Sequence, residues 1–156
     1  MIFFSKKQST THFSSQLYSE KSFYKKFLKD LETCQSEVLI ESPYLTSSRM
    51  EVLLPVFQRL LHKKIKIQIV TRDPSEHESE LFRHQATNEL LLCKDLGINI
   101  VFQKGFHHRK LAIIDKAILW EGSLNILSYS KSKEIMRRLE GGNYVKEMLD
   151  FLKHQV

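Results

Sequence analysis

An α/β fold, with a mixed and mostly parallel β-sheet flanked by α-helices on both faces, is what this sequence predicts. Short apolar runs of strand length at Glu37–Glu41, residues 65–70 and residues 98–102 alternate with longer segments of helical periodicity. Late in the chain the alternation breaks. Leu111–Ile114 and residues 117–120 are two apolar runs with only Asp115 and Lys116 between them, a spacing that predicts a tight hairpin and makes the sheet mixed.

The elements follow in order. Residues 1–19 contain a run rich in Ser, Thr, Gln and Lys from Lys6 onward and read as an N-terminal arm, flexible or covering a sheet edge; residues 20–156 read as one domain. Phe23, Phe27, Leu28 and Leu31 recur every three to four positions, which predicts the first helix. The strand at residues 37–41 ends before the turn-former Pro43. Ser47 or Ser48 can cap a helix whose apolar face is Met50, Leu53, Leu54, Phe57, Leu60 and Leu61; Pro55 should kink it or mark its first turn. Ile65, Ile67 and Ile69 alternate as in a strand. A long helix through Leu81, Phe82, Leu90, Leu91 and Leu96 stops at Gly97, and a last helix spans about residues 144–153. The segment 131–138 is charged and could equally be a solvated helix face.

The bulk numbers narrow the function. A chain of 156 residues with 42% hydrophobic and 27% charged residues can bury one real core. The formal charge of +6, from 24 Lys+Arg against 18 Asp+Glu, favours a polyanionic partner such as nucleic acid or an anionic surface. The clusters Lys63-Lys64-Lys66, Lys131-Lys133 and Arg137-Arg138 could bind a phosphate backbone, although each alone is an ordinary solvated face. Cys34 and Cys93 form no CxxC unit and sit beside no histidine at ligand spacing, so buried, reduced thiols are expected. No signal-peptide core and no stretch of membrane-spanning length is present, which predicts a cytoplasmic protein without stable membrane association.

The chemistry concentrates after residue 107. In an extended chain residues two apart share a face, so His108 and Lys110 project together, a possible nucleophile or base beside a fixed positive charge. His107 and Arg109 have the opposite parity and read as packing residues. Asp115 also has the opposite parity and sits at the hairpin turn, where it reads as a structural carboxylate. Beyond the hairpin, Ser123 and Asn125 are again two apart and can offer a hydroxyl and an amide to phosphate oxygens.

His108-x-Lys110-x4-Asp115 followed by Gly122-Ser123-x-Asn125 resembles the HKD signature of the phospholipase D superfamily, in its single-motif, PLD-like nuclease form. The resemblance extends to Val38-Leu39-Ile40-Glu41-Ser42-Pro43-Tyr44-Leu45 upstream and to Glu134 downstream, and covers about residues 23–140. It implies a PLD-like fold and a site of His108, Lys110, Asp115, Ser123, Asn125 and Glu134, in which Lys110, Ser123 and Asn125 hold the substrate. Glu134, or Glu140 if the register shifts, would orient the histidine. The implied reaction is phosphodiester hydrolysis through a phosphohistidine, with no cofactor and no metal. One histidine attacks phosphorus and a second protonates the leaving oxygen. This chain carries one such motif, so the resemblance implies a homodimer with a shared site. The expected substrate is nucleic acid, DNA ahead of RNA. A lipid phosphodiester and a non-catalytic nucleic-acid-binding module are the alternatives.

Overall fold

Phe23, Phe27 and Leu31 form the buried stripe of helix α1 (Phe23–Glu32), as their spacing predicts. In the computed structural model, which describes residues 14–154, α1 follows strand β1 (Ser14–Ser19) and leads into β2 (Glu37–Glu41). Next come α2 (Ser47–His62), β3 (Lys66–Arg72), a 3-10 turn at Pro74–Glu76, α3 (Glu80–Asp95) and β4 (Asn99–Gln103). The chain ends with β5 (Leu111–Ile114), β6 (Ile118–Gly122), β7 (Ile135–Glu140) and α4 (Gly142–Lys153). Helix α2 is capped at Thr46, one residue before the expected serines, and continues through Pro55.

The seven strands form one mixed sheet in the order β1-β7-β6-β5-β2-β3-β4. It is not mostly parallel. Only β2–β3 and β3–β4 pair in parallel; the pairings β1–β7, β7–β6, β6–β5 and β5–β2 are antiparallel. The physical reason lies in the connections. A parallel pair needs a crossover, which α2 and α3 supply, whereas the loop after β4 returns the chain to the middle of the sheet against β2. The expected hairpin is present, with Asp115 and Lys116 at its tip, both in the left-handed region at φ 53°.

Helices flank the sheet on both faces, as expected. On one face the core includes Phe27, Ile40, Leu53, Phe57, Ile69 and Trp120; on the other Leu111, Ile113, Leu119 and Leu139 pack with Val145 of α4. Strand β5 alternates between them, with Ala112 and Ile114 on the first face, which is why it reads as a continuous apolar run. Each large side chain so buried stabilises the fold by roughly 1.5–3 kcal/mol.

Two segments differ from expectation. Ser14–Ser19, at the end of the expected arm, pair with β7 as an edge strand; residues 1–13 lie outside the described residues. Residues 135–140 are strand β7, not a helix face, because Met136 and Arg138 both turn into the core. Cys34 and Cys93 are free and buried. Among the described residues no helix is long and apolar enough to cross a membrane.

The register fixes where chemistry can gather. Glu41 of β2 pairs with Leu111 of β5, which pairs with Glu121 of β6, while Gly122 pairs with Met136 of β7. The ends of β2, β3 and β6 and the starts of β5 and β7 therefore meet at one edge of the sheet. Ligands collect at the carboxyl ends of parallel strands in open α/β sheets.

Candidate active site

His108 and Lys110 lie just before β5, in extended chain, and share a face as their parity predicts. Lys110 Nζ is 2.9 Å from His108 Nδ1 and donates to the His108 carbonyl oxygen at 2.7 Å. His108 is exposed, and its pKa is lowered, first by desolvation and then by the charges of Lys110 and Arg72. Both effects favour the neutral imidazole, the form that a nucleophile needs. Burial also lowers the Lys110 pKa, while Glu134 opposes that shift.

Gly122 makes the second half of the site possible. A Cβ there would stand 2.1 Å from the Ile135 carbonyl oxygen, so only glycine lets β7 begin this close to β6. The approach brings Ser123 to Glu134. The Ser123 hydroxyl donates to Glu134 Oε2, and its oxygen accepts from the Ile135 amide at 3.1 Å. Ser132 Oγ donates to Glu134 Oε1 at 2.5 Å, and the Glu134 amide donates to Glu20 at 3.0 Å. Glu134 thus acts on the lysine and the serine, and no bond joins it to His108. Glu140 is no substitute: it sits at the far end of β7, bonded by Arg138 at 2.8 Å.

His108, Lys110 and Ser123 line a cleft of about 670 Å³ together with Leu17, Ile135 and Phe151. Asn125 is not in it. The chain turns after Gly122, and Asn125 lines two neighbouring clefts instead, with its side-chain oxygen buried and without a partner. The structure therefore separates Ser123 from Asn125 by a turn, where the sequence placed them on one strand face.

Asp115 stands apart from the other predicted residues. The length of β5, about 13 Å of extended chain, separates it from Lys110. Its carboxylate accepts from the amides of Gln35 and Ser36 at 2.8 Å, from Glu37 at 3.2 Å and from the hydroxyl of Ser36 at 2.9 Å. Desolvation opposes ionisation, but these bonds outweigh it and bring the carboxyl down to about 2. Asp115 ties the α1–β2 loop to the hairpin, the structural role that its parity predicts. The parity argument identified this role; the motif did not.

Sequence reasoning missed the residues that hold the motif's approach loop. Arg72, buried at the end of β3, donates from Nε and Nη2 to the His107 carbonyl at 3.2 and 3.1 Å. Glu76 accepts from the amides of Gly105 and Phe106 at 2.9 and 3.1 Å. The position of Arg72 at a parallel strand's carboxyl end was the signal that could have found it. His107 is buried 3.6 Å from Glu41, and desolvation, with the charges of Arg109 and Arg72, brings its pKa down to about 4. Arg109 donates to Glu41 at 2.9 Å and also lines the His108 cleft.

Residues 27–155 match the family model described as "Cardiolipin synthase, PLD-like domain". The chain belongs to this PLD-like family. No curated protein matches it. Among solved structures, NucT from Helicobacter pylori is similar to the PLD-like domain with a TM-score of 0.72 and 16% identity, over 92% of this chain and 95% of that one. Nuc from Salmonella typhimurium, a phospholipase D family member, gives 0.70 and 14%, over 92% and 93%. Phosphatidylserine synthase from Haemophilus influenzae gives 0.71 and 12%, over 93% of this chain but 38% of that one. At such identities the likeness carries the fold. The site rests on this chain's own geometry.

Proposed function

We propose that this PLD-like domain is a metal-independent phosphodiesterase, an endonuclease hydrolysing DNA, or RNA, in a homodimeric site. The observation that carries this reading is the exposed His108, its ring nitrogen 2.9 Å from the Lys110 ammonium at the wall of an open cleft. An imidazole nitrogen forms a bond to phosphorus as the bond to the leaving oxygen breaks. The Lys110 ammonium neutralises and holds the non-bridging oxygens while charge develops, and Ser123 joins it by turning its hydroxyl from Glu134 to the phosphate. The leaving oxygen takes its proton from a second imidazolium. That imidazole then removes a proton from water, whose oxygen displaces His108 from phosphorus and regenerates the neutral ring.

The second histidine supports pairing of two copies. Among the described residues His108 is the single histidine lining this cleft; His107 and His77 are buried elsewhere. A second copy of the chain brings its own His108. Leu17, Ile135 and Phe151, each at least half exposed, rim the cleft and offer an apolar surface for that copy. The net charge of +6 suits a nucleic-acid substrate.

The same apolar rim favours a second reading, a lipid phosphodiester whose chains lie along those residues. One experiment separates the two. The protein is incubated in EDTA with single- and double-stranded DNA and RNA and with anionic phospholipid vesicles, alongside His108→Ala. Nucleic-acid cleavage that survives EDTA and disappears in the variant supports the nuclease. Turnover of lipid alone moves the activity to the second reading, and activity that returns only with added metal removes both. A single-chain mass in sedimentation, with and without substrate, overturns the shared site.

A further inference from the structure

Beside the His108 cleft lies a second cleft of about 550 Å³, bounded by Tyr44, Arg72, His77, Phe82, Phe106 and Tyr129. Tyr44 in its wall has its ring centroid 6.5 Å from that of His108, so the cleft adjoins the proposed nucleophile. Two of its aromatic side chains are exposed against the usual preference for burial: Phe106 is 71% accessible and Tyr129 54%. Phe106 has φ 59°, an uncommon conformation for a bulky residue. Arg72 and Glu76 grip its backbone from both sides and hold the ring outside the core. The Arg72 guanidinium lies 5.1 Å from the Tyr44 ring and 5.9 Å from the Phe106 ring, which stiffens the wall.

His77 is the second, independent observation. It is 3% exposed, lines this cleft, stacks near Tyr44 with ring centroids 5.0 Å apart, and neither ring nitrogen has a hydrogen-bond partner. A neutral imidazole carries one donor and one acceptor, and buried polar groups of this kind are ordinarily satisfied. The cleft thus combines exposed π-faces at its mouth with unpaired polar atoms in its wall.

We infer that this cleft is a subsite for an unpaired nucleobase adjoining the scissile phosphate, so that the preferred substrate is single-stranded nucleic acid. A base can stack on Phe106 or Tyr129 only when its faces are free, and in a duplex they are covered by neighbouring pairs. The nuclease reading supplies the place of the scissile phosphate; the base-binding claim itself concerns affinity and stands or falls separately.

Binding is measured with His108→Asn protein, which does not turn over substrate, by anisotropy of a short fluorescent single strand, the same strand with abasic sites, and a blunt duplex. Phe106→Leu and Tyr129→Ala are added on that background, each with its circular dichroism checked. The single strand should bind about tenfold more tightly than the duplex or the abasic strand, and each variant should remove about five- to tenfold of that affinity while leaving duplex binding unchanged. Equal affinity for single strand and duplex, or folded variants without effect, overturns the subsite. Hydrolysis of bis(p-nitrophenyl) phosphate by protein with His108 intact reports the catalytic reading alone. If that hydrolysis fails while aromatic-dependent binding holds, the nuclease reading falls and the subsite remains; if it succeeds while the variants have no effect, the reverse is true.

Discussion

Lys110 Nζ approaches His108 Nδ1 to 2.9 Å, and the two side chains leave the backbone two residues apart on one face. The ammonium cannot accept a proton from the ring, so its charge works against imidazolium formation, adding to the effect of desolvation. For a nucleophilic His108 the catalytic form is the deprotonated one, and activity falls as pH drops through its pKa. Because that pKa lies below the usual value near 6.5, the acid limb of kcat/KM, which reports the free enzyme, should lie below pH 6.5 as well. Lys110→Met should move the limb upward and lower kcat by about 10²–10³. Rates on a chromogenic phosphodiester from pH 4 to 9, for both proteins, check the shift; an unchanged limb would separate the lysine from the histidine's titration.

Asp115 belongs to the motif by spacing and to the scaffold by contact. Its carboxylate gathers the amides of Gln35, Ser36 and Glu37 into one loop. Asp115→Ala leaves these donors without an acceptor and should destabilise the protein by about 2–3 kcal/mol. The kcat of the protein that remains folded should stay within about threefold of the unaltered chain. The sign with pH follows from the lowered pKa. The ordinary carboxyl value is 3.8 and the folded one about 2, so the stabilisation is complete above pH 3.8 and disappears as pH falls toward 2. Urea denaturation at pH 7 gives the stability loss, and kcat on the same preparation tests the division of roles.

His107 should make stability depend on pH in a different window. Its folded pKa of about 4 lies below the ordinary 6.5, so between those values the unfolded chain binds more protons. Stability should therefore fall by about 2 kcal/mol as pH drops from 6.5 to 4. His77, also lowered by desolvation, acts in the same direction, whereas Glu41, raised by its own burial, takes up a proton and offsets part of the loss. His107→Gln should flatten the dependence, measured by urea midpoints at pH 7, 6 and 5. A variant with the unaltered slope would show that His107 contributes nothing to it.

What could be read in advance was local. The Asp115-Lys116 tip, the apolar runs beside it and the HxK and GSxN spacings depend on neighbours within a few residues, and the residues they single out, His108, Lys110 and Ser123, line one cleft. The rest depends on register between distant strands. Glu134 meets Ser123 only because Gly122 lets β7 start against β6, and no spacing along the chain encodes that bond. Strand β7 was hidden because its core-facing position 138 is an arginine, which breaks the apolar alternation of a half-buried strand. Strand β1 was hidden for a similar reason: of its residues, Tyr18 is the one packed on the large core. The approach loop escaped because Arg72 holds it through backbone carbonyls, which carry no residue signature.

The partner that admits Arg138 into the core is Asp30 of α1, 108 residues away. Arg138 Nε donates to Asp30 Oδ2 at 2.7 Å and Nη2 to Oδ1 at 3.1 Å, a two-pronged pair with both side chains at least nine-tenths buried. Trp120 Nε1 donates to the same carboxylate at 2.9 Å, and Lys26 reaches it at 3.0 Å from the edge. Removing the arginine leaves a buried carboxylate short of its main countercharge, so Arg138→Met should cost about 3–5 kcal/mol. Replacing both partners, as Asp30→Leu with Arg138→Met, removes the unpaired charge and should recover part of that loss, though Trp120 then lacks an acceptor. Since β7 carries Glu134 to Ser123, the single variant should also weaken turnover in the protein that stays folded, and the double variant should restore it partly. Denaturant midpoints and kcat for the four proteins of this cycle decide the matter: additive losses would mean that the pair is not what seats β7.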